Sequence, residues 1–301
     1  MSARRIEQPG WALLPAPAGS TFNESLSATS IPGSGAAPRS GADPRYEPRP
    51  LPLLWPLRMA VFYIWIALVT IFMGLWWWPK IRHNPQNAHV LPIAWTGRLL
   101  AAARAILGIS VEIRGTPPVH DCIIAAKHQS FLDILAIAHA VPQCAFIMKR
   151  EVLRVPIMGH YARLAGCIPI DRTRGSEAMR QIIAGIQASR ASADGLGQLI
   201  IYPEGTRTRP GERRSYKHGV GTIHQATGLP VHPVAVNCGM FWPKDGLRIR
   251  PGRAVIEFLD PVTVTLPAAE LVARVEEKVE AASDRLMADA GLALDKQGGA
   301  A

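Results

Sequence analysis

A chain of 301 residues, 48% hydrophobic and 19% charged, has room for one large domain or two small ones and can bury a substantial core. The net charge of +10 points to an anionic partner, and between Phe146 and Lys217 there are 13 Lys and Arg against 6 Asp and Glu. An RNP-like aromatic pattern, zinc-finger spacing and a continuous basic helix are all missing, which excludes nucleic acid as the expected partner and favours an anionic membrane surface.

Residues 1–50 are rich in Pro, Gly, Ser and Ala and show no periodicity, so they are predicted to form a disordered tail. They lack the apolar stretch of a signal peptide. Met59–Trp78 is free of charge, ends in Trp76-Trp77-Trp78 and runs into Lys80 and Arg82. About 20 apolar residues cross a hydrocarbon core, and tryptophans gather at its interface, so a membrane-inserted helix is predicted at 59–78 within a membrane-associated segment 51–109. A second amphipathic stretch, Ile93–Leu107, is expected beside it or on the membrane surface. Arg45, Arg49 and Arg58 on one side and Lys80 and Arg82 on the other leave the orientation open.

From about residue 110 the pattern alternates. Strand-like runs occupy Ser110–Arg114, Cys122–Lys127, Ala145–Lys149, Cys167–Asp171, Gln198–Tyr202, Val231–Asn237 and Ala254–Leu259. Helical stripes lie between and after them, at Met179, Ile182, Ile183 and Ile186 and at Val272, Val275, Val279, Ala282 and Leu286. The expected fold is α/β: a mixed, largely parallel sheet of about seven strands flanked by helices, over 110–295, preceded by the membrane helix. Leu153–Gly166 reads as a short apolar helix with Pro156 near its start. The four cysteines, Cys122, Cys144, Cys167 and Cys238, sit in apolar contexts with no Cys-x-x-Cys pair, as expected of free buried thiols without a structural metal.

Ligands of such sheets bind beyond the carboxyl ends of the strands, and that is where the reactive residue types fall. His128 follows the run Cys122–Ala126, and Asp133 comes five positions later. Ser130 and Asp133 have capping-box spacing, which places His128 on a strand-to-helix turn with Asp133 in the first helical turn. A histidine held by a carboxylate, with no activated Ser or Cys and no G-x-S-x-G elbow, is a general base lacking a nucleophile of its own. Alone, the stretch also fits a capped structural turn. Glu204-Gly205-Thr206-Arg207 closes another strand: Gly205 allows positive φ, and Arg207 offers a fork for a phosphate. Arg172 and Lys149 end two further strands. His139, His160, His218, His224 and His232 read as structural.

The blocks His128-Gln-Ser-Phe-Leu-Asp133, Gly166-Cys-Ile-Pro-Ile-Asp171-Arg172, Pro203-Glu-Gly-Thr-Arg207 and Val231-His-Pro-Val-Ala-Val236 resemble those of the bacterial 1-acylglycerol-3-phosphate acyltransferases, within the glycerolipid acyltransferase superfamily. Pro169 and His232 depart from the residues common at those places. The resemblance implies acyl transfer from acyl-CoA or acyl–acyl carrier protein to the 2-hydroxyl of lysophosphatidate at a bacterial cytoplasmic membrane, with the site facing the cytoplasm. No bound cofactor, metal or acyl-enzyme is expected. It implies His128 as base, Asp133 as its partner, and Glu204, Gly205, Thr206, Arg207, Arg172 and Lys149 around the glycerol phosphate. Backbone N–H groups after Ser130 are an expected oxyanion site. Another lysolipid acceptor, such as lyso-ornithine lipid, and a non-catalytic lipid-binding module are the alternatives.

Overall fold

The computed structural model describes residues 53–85, 87–155, 157–170, 176–192 and 195–293; the tail expected at 1–50 lies outside them. Two long helices come first, α1 (Trp55–His83) and α2 (Asn87–Leu107). Both exceed the sequence-based expectation and carry a proline inside. In α1, Pro56 falls in the first turn, where the missing N–H costs nothing, and Pro79 falls near the end. Lys80 lies over the rings of Trp76 and Trp77, at 5.0 and 5.2 Å, which helps the last turns of α1 continue past Pro79. Both helices are long and apolar enough to cross a membrane, by length and composition. Leu57, Ile64, Leu68, Ile71, Phe72 and Leu75 of α1 are exposed.

The α/β part contains strands β1 (Ile109–Arg114), β2 (Cys122–Ala126), β3 (Cys144–Lys149), β4 (Ile168–Ile170), β5 (Gln198–Ile201), β6 (Val231–Val236) and β7 (Gly252–Phe258). Its helices are α3 (Phe131–Ala140), α4 (Met158–Leu164), α5 (Ser176–Ala191), α6 (Gly219–Thr227) and α7 (Ala268–Asp289). The seven strands are ordered β1-β7-β6-β2-β5-β3-β4. All neighbours are parallel except β6 and β7, so the sheet is mixed and largely parallel.

Strand alternation decides which face each residue serves. Cys122, Ile124 and Ala126 pack with α1, α2 and α3, whereas Ile123 and Ala125 pack with Ile182 and Ile186 of α5, Val220 and Ile223 of α6, and Val275 of α7. Being buried on both faces, β2 has no polar residue before Lys127. Two structural histidines fit this frame. His139 of α3 meets the Ile93 carbonyl oxygen of α2 through Nδ1 at 3.1 Å, and Nδ1 of His224 meets the Leu229 carbonyl oxygen at 2.8 Å. The helix expected at Leu153–Gly166 is broken. A 3-10 turn over Arg150–Arg154 precedes α4, with Ile157 between them at φ +65. Ile157 packs against Gly74 of α1, and the Tyr161 hydroxyl donates to the Gly74 carbonyl at 2.5 Å. Docking on α1 thus overrides a continuous helix. All four cysteines are free and Cys167 is half-buried; burial pushes Cys122 and Cys144 up to about 12.

Two consequences are measurable. A helical Gly→Ala change usually stabilises by about 1 kcal/mol. At Gly221 of α6, however, the new Cβ would lie 2.3 Å from the Ala268 carbonyl oxygen of α7. Gly221→Ala is therefore expected to lower the denaturation midpoint. Burial, aided by the neighbouring His120, lowers His232 from 6.5 to about 4. The unfolded chain binds a proton in that window that the folded chain refuses, so stability declines as pH falls from about 6.5 towards 4. His232→Val should flatten that part of a denaturation-versus-pH curve.

Candidate active site

β2 and β5 run parallel with Ala125 opposite Ile201, so the segments that follow them leave the sheet side by side. The first carries His128 into α3 and the second carries Tyr202–Arg207. Ser130 is the N-cap of α3, and the reciprocal capping box is complete. Asp133 Oδ2 accepts the N–H groups of Gln129 at 2.8 Å and Ser130 at 2.7 Å, and Oδ1 lies 3.0 Å from His128 Nδ1. One fully buried carboxylate thus closes the helix start and holds the imidazole. With Nδ1–H donated to Asp133, Nε2 is the basic nitrogen. The N–H groups of Gln129, Ser130 and Leu132 are committed within the cap.

The imidazole also stacks on Tyr202, with ring centroids 3.9 Å apart and planes 20° from parallel. Burial, followed by the charge of Asp133, holds the Tyr202 phenol well above its usual range, so it stays neutral.

His128 opens on a cavity of about 930 Å³ shared with Gly205, Thr206 and Arg207. Its walls are apolar, built from α1, α2, α3, β3, α4 and α5; Met73, Leu91, Phe131, Phe146, Met158 and Ile182 are representative. Among the described residues that line it, the charged side chains are Arg207 and Lys217, with no carboxylate. Gly205 has φ +73, as its turn requires, and a Cβ there would lie 2.6 Å from Lys217 Nζ.

Glu204 departs from its expected place. Its carboxylate is buried and does not line the cavity. Oε2 accepts the backbone N–H of His128 at 2.7 Å, and Oε1 accepts Thr208 Oγ at 3.0 Å and Lys127 Nζ at 3.3 Å. Burial raises its pKa, with Lys127 opposing. Glu204 therefore fixes the turn that carries His128. Arg172 lies outside the described residues, as does the side chain of Lys149, whose backbone ends β3 beside β4.

Sequence reasoning missed Lys127, Tyr202, Thr208, Tyr216, Lys217 and Glu280. Lys127 Nζ is fully buried and donates to Glu280 of α7 at 2.7 and 2.8 Å, while the Tyr216 hydroxyl donates to Glu280 at 3.1 Å. The available signal was a lysine ending an apolar run and a glutamate beside Val279 on an apolar helical stripe. Among the described residues no group of three or more His, Cys, Asp or Glu is placed to hold a metal ion.

A histidine held by a carboxylate thus opens, with Arg207 and Lys217, on a large apolar cavity. Residues 109–237 match the model of the family described as Acyltransferase. That stretch is an Acyltransferase-family domain, and the protein is an acyltransferase-class enzyme.

Its relatives include a 1-acyl-sn-glycerol-3-phosphate acyltransferase of Pseudomonas aeruginosa, 29% identical over 65% of this chain and 76% of that protein. One from Cocos nucifera is 30% identical over 68% of this chain and 63% of that protein. The crystal structure of the 1-acyl-sn-glycerophosphate (LPA) acyltransferase PlsC from Thermotoga maritima matches with TM-score 0.66 and 26% identity, over 77% of this chain and 96% of that one.

The buried charges make a stability prediction. Lys127→Met strands two buried carboxylates and is expected to cost about 3–5 kcal/mol in chemical denaturation. Adding Glu280→Met removes one of them, so the double variant should be more stable than the single one.

Proposed function

We propose that the protein transfers an acyl chain from a thioester, acyl-CoA or acyl–acyl carrier protein, to the 2-hydroxyl of lysophosphatidate, giving phosphatidate. The observation that carries this reading is the position of His128: Nδ1 is held by Asp133, and the ring faces an apolar cavity that also holds Arg207. The relatives named above are 1-acyl-sn-glycerol-3-phosphate acyltransferases, which supports the same acceptor.

In this mechanism His128 Nε2 takes the hydroxyl proton as the oxygen attacks the thioester carbonyl. The tetrahedral intermediate then expels the thiolate, and the imidazolium returns the proton to sulfur. Asp133 stabilises the imidazolium without accepting its proton. The acyl group passes directly between the two substrates, so no acyl-enzyme forms. Gly205, Thr206 and Arg207 contact the glycerol phosphate, with Arg172 and Lys149 assisting, while the apolar walls take the chains. The exposed apolar side of α1 seats the enzyme on a bacterial cytoplasmic membrane with the cavity reached from the cytoplasmic side.

Purified protein in mixed micelles, supplied with acyl-CoA or acyl–acyl carrier protein and a panel of acceptors, tests this reading. Lysophosphatidate should be preferred, and turnover should fall about 10²–10⁴-fold in His128→Ala. Asp133→Asn should also lose turnover. Equal rates on lysophosphatidate and lyso-ornithine lipid would refute the acceptor assignment, and full activity in His128→Ala would refute the mechanism.

A further inference from the structure

The segment from β5 to α6 carries five basic residues, Arg207, Arg209, Arg213, Arg214 and Lys217. Their surroundings separate them. Arg213 is paired with Asp284 and Arg214 with Glu212, while Arg209 is not among the cavity-lining residues. Arg207 and Lys217 both line the cavity, and among the described residues neither side chain makes an ion pair or hydrogen bond. Two exposed cations thus stand on the rim of an apolar chamber that, among the described residues, has no lining carboxylate.

Lys217 is held at this place from both sides. Its backbone N–H donates to the Pro203 carbonyl at 3.0 Å, tying it to the start of the Glu204–Arg207 turn. Tyr216 anchors in the opposite direction, its hydroxyl on Glu280 at 3.1 Å and its N–H on Glu276 at 3.2 Å. The lysine chain is laid across Gly205, where only a hydrogen leaves room for it; an added Cβ would stand 2.6 Å from Nζ and 2.9 Å from Cε.

We propose that Lys217 selects a phosphate monoester head group: with Arg207 it forms a two-cation cradle on the His128 cavity that matches a dianion and disfavours a phosphodiester. This rests on the acceptor reading above and deepens it. A monoester carries close to two negative charges at neutral pH, because its second ionisation lies near pH 6. A diester carries one. A diester, with its single charge, satisfies fewer of the cations around this turn than a monoester does, so it gains less from Lys217.

The experiment compares the wild type with Lys217→Met and Lys217→Arg. Lysophosphatidate and lysophosphatidylglycerol of equal chain length serve as acceptors, alongside equilibrium binding of short-chain lysophosphatidate. A charge-assisted hydrogen bond corresponds to about a 10- to 100-fold change in affinity. Lys217→Met should raise the KM and Kd for lysophosphatidate by that factor with a much smaller change in kcat. The preference for monoester over diester should fall alongside, and Lys217→Arg should keep most of it.

A preference unchanged in Lys217→Met, or an equal loss with both acceptors, overturns the assignment and leaves the acyl-transfer reading intact. If the wild type binds lysophosphatidate without acylating it and Lys217→Met weakens that binding, the assignment stands and the acyl-transfer reading falls. A wild type that neither binds nor acylates lysophosphatidate overturns both.

Discussion

A fully buried ammonium, that of Lys127, sits one residue before His128 and constrains the whole site. An unpaired cation in that position would be prohibitively unfavourable, so the fold surrounds it with Glu204 from the loop after β5, Glu280 from α7 and the Glu212 carbonyl. Three segments distant in sequence must converge for the lysine to be satisfied. Glu204 then passes this constraint to the site through its other oxygen, which fixes the backbone N–H of His128. Thr208 closes the arrangement, its backbone N–H and hydroxyl both reaching the His128 carbonyl. His128 is therefore held at its backbone by the loop that also carries Arg207, so the two residues cannot drift apart independently.

The side chain of His128 is oriented by a second arrangement that is local to α3. Asp133 satisfies the donors at the helix start and the imidazole with the same carboxylate, so the cap that begins α3 also orients the His128 ring. Helix capping of this kind contributes about 1 kcal/mol on its own. Here it leaves Asp133 with little freedom to rotate. Tyr202, stacked on the ring, comes from the β5 loop, so each face of the arrangement again depends on the register between β2 and β5.

Local patterns were readable in the sequence where a single element decides the outcome. The capping box needs only four consecutive residues, and the order of strands and helices needs only alternation of period. The His128–Asp133 pair, Gly205 with positive φ and Arg207 on the cavity belong to this class. What depends on tertiary convergence was hidden. Glu204 looks like a ligand next to Gly205 and Arg207, and only the buried Lys127 opposite it explains why it turns inward. The break in the Leu153–Gly166 helix follows from docking Ile157 and Tyr161 on Gly74, some eighty residues earlier in the chain. Lys217 carries no local signal, because a lysine before a glycine is ordinary until the fold lays it across Gly205.

The inward turn of Glu204 also bears on the field inside the cavity. Asp133 and Glu204 flank His128 within a few residues or one strand, and either carboxylate, if open to the cavity, would cancel a cation and repel an anionic head group. The structure places Asp133 behind the imidazole and covers Glu204 with Lys127, Thr208 and a backbone N–H. Both carboxylates are consumed by neighbours on the protein side. Arg207 and Lys217, both exposed, are the charged side chains left on the cavity lining among the described residues. The geometry thereby combines two features that conflict in a small space: a carboxylate against the His128 imidazole, and a cavity lining that, among the described residues, carries cations and no carboxylate.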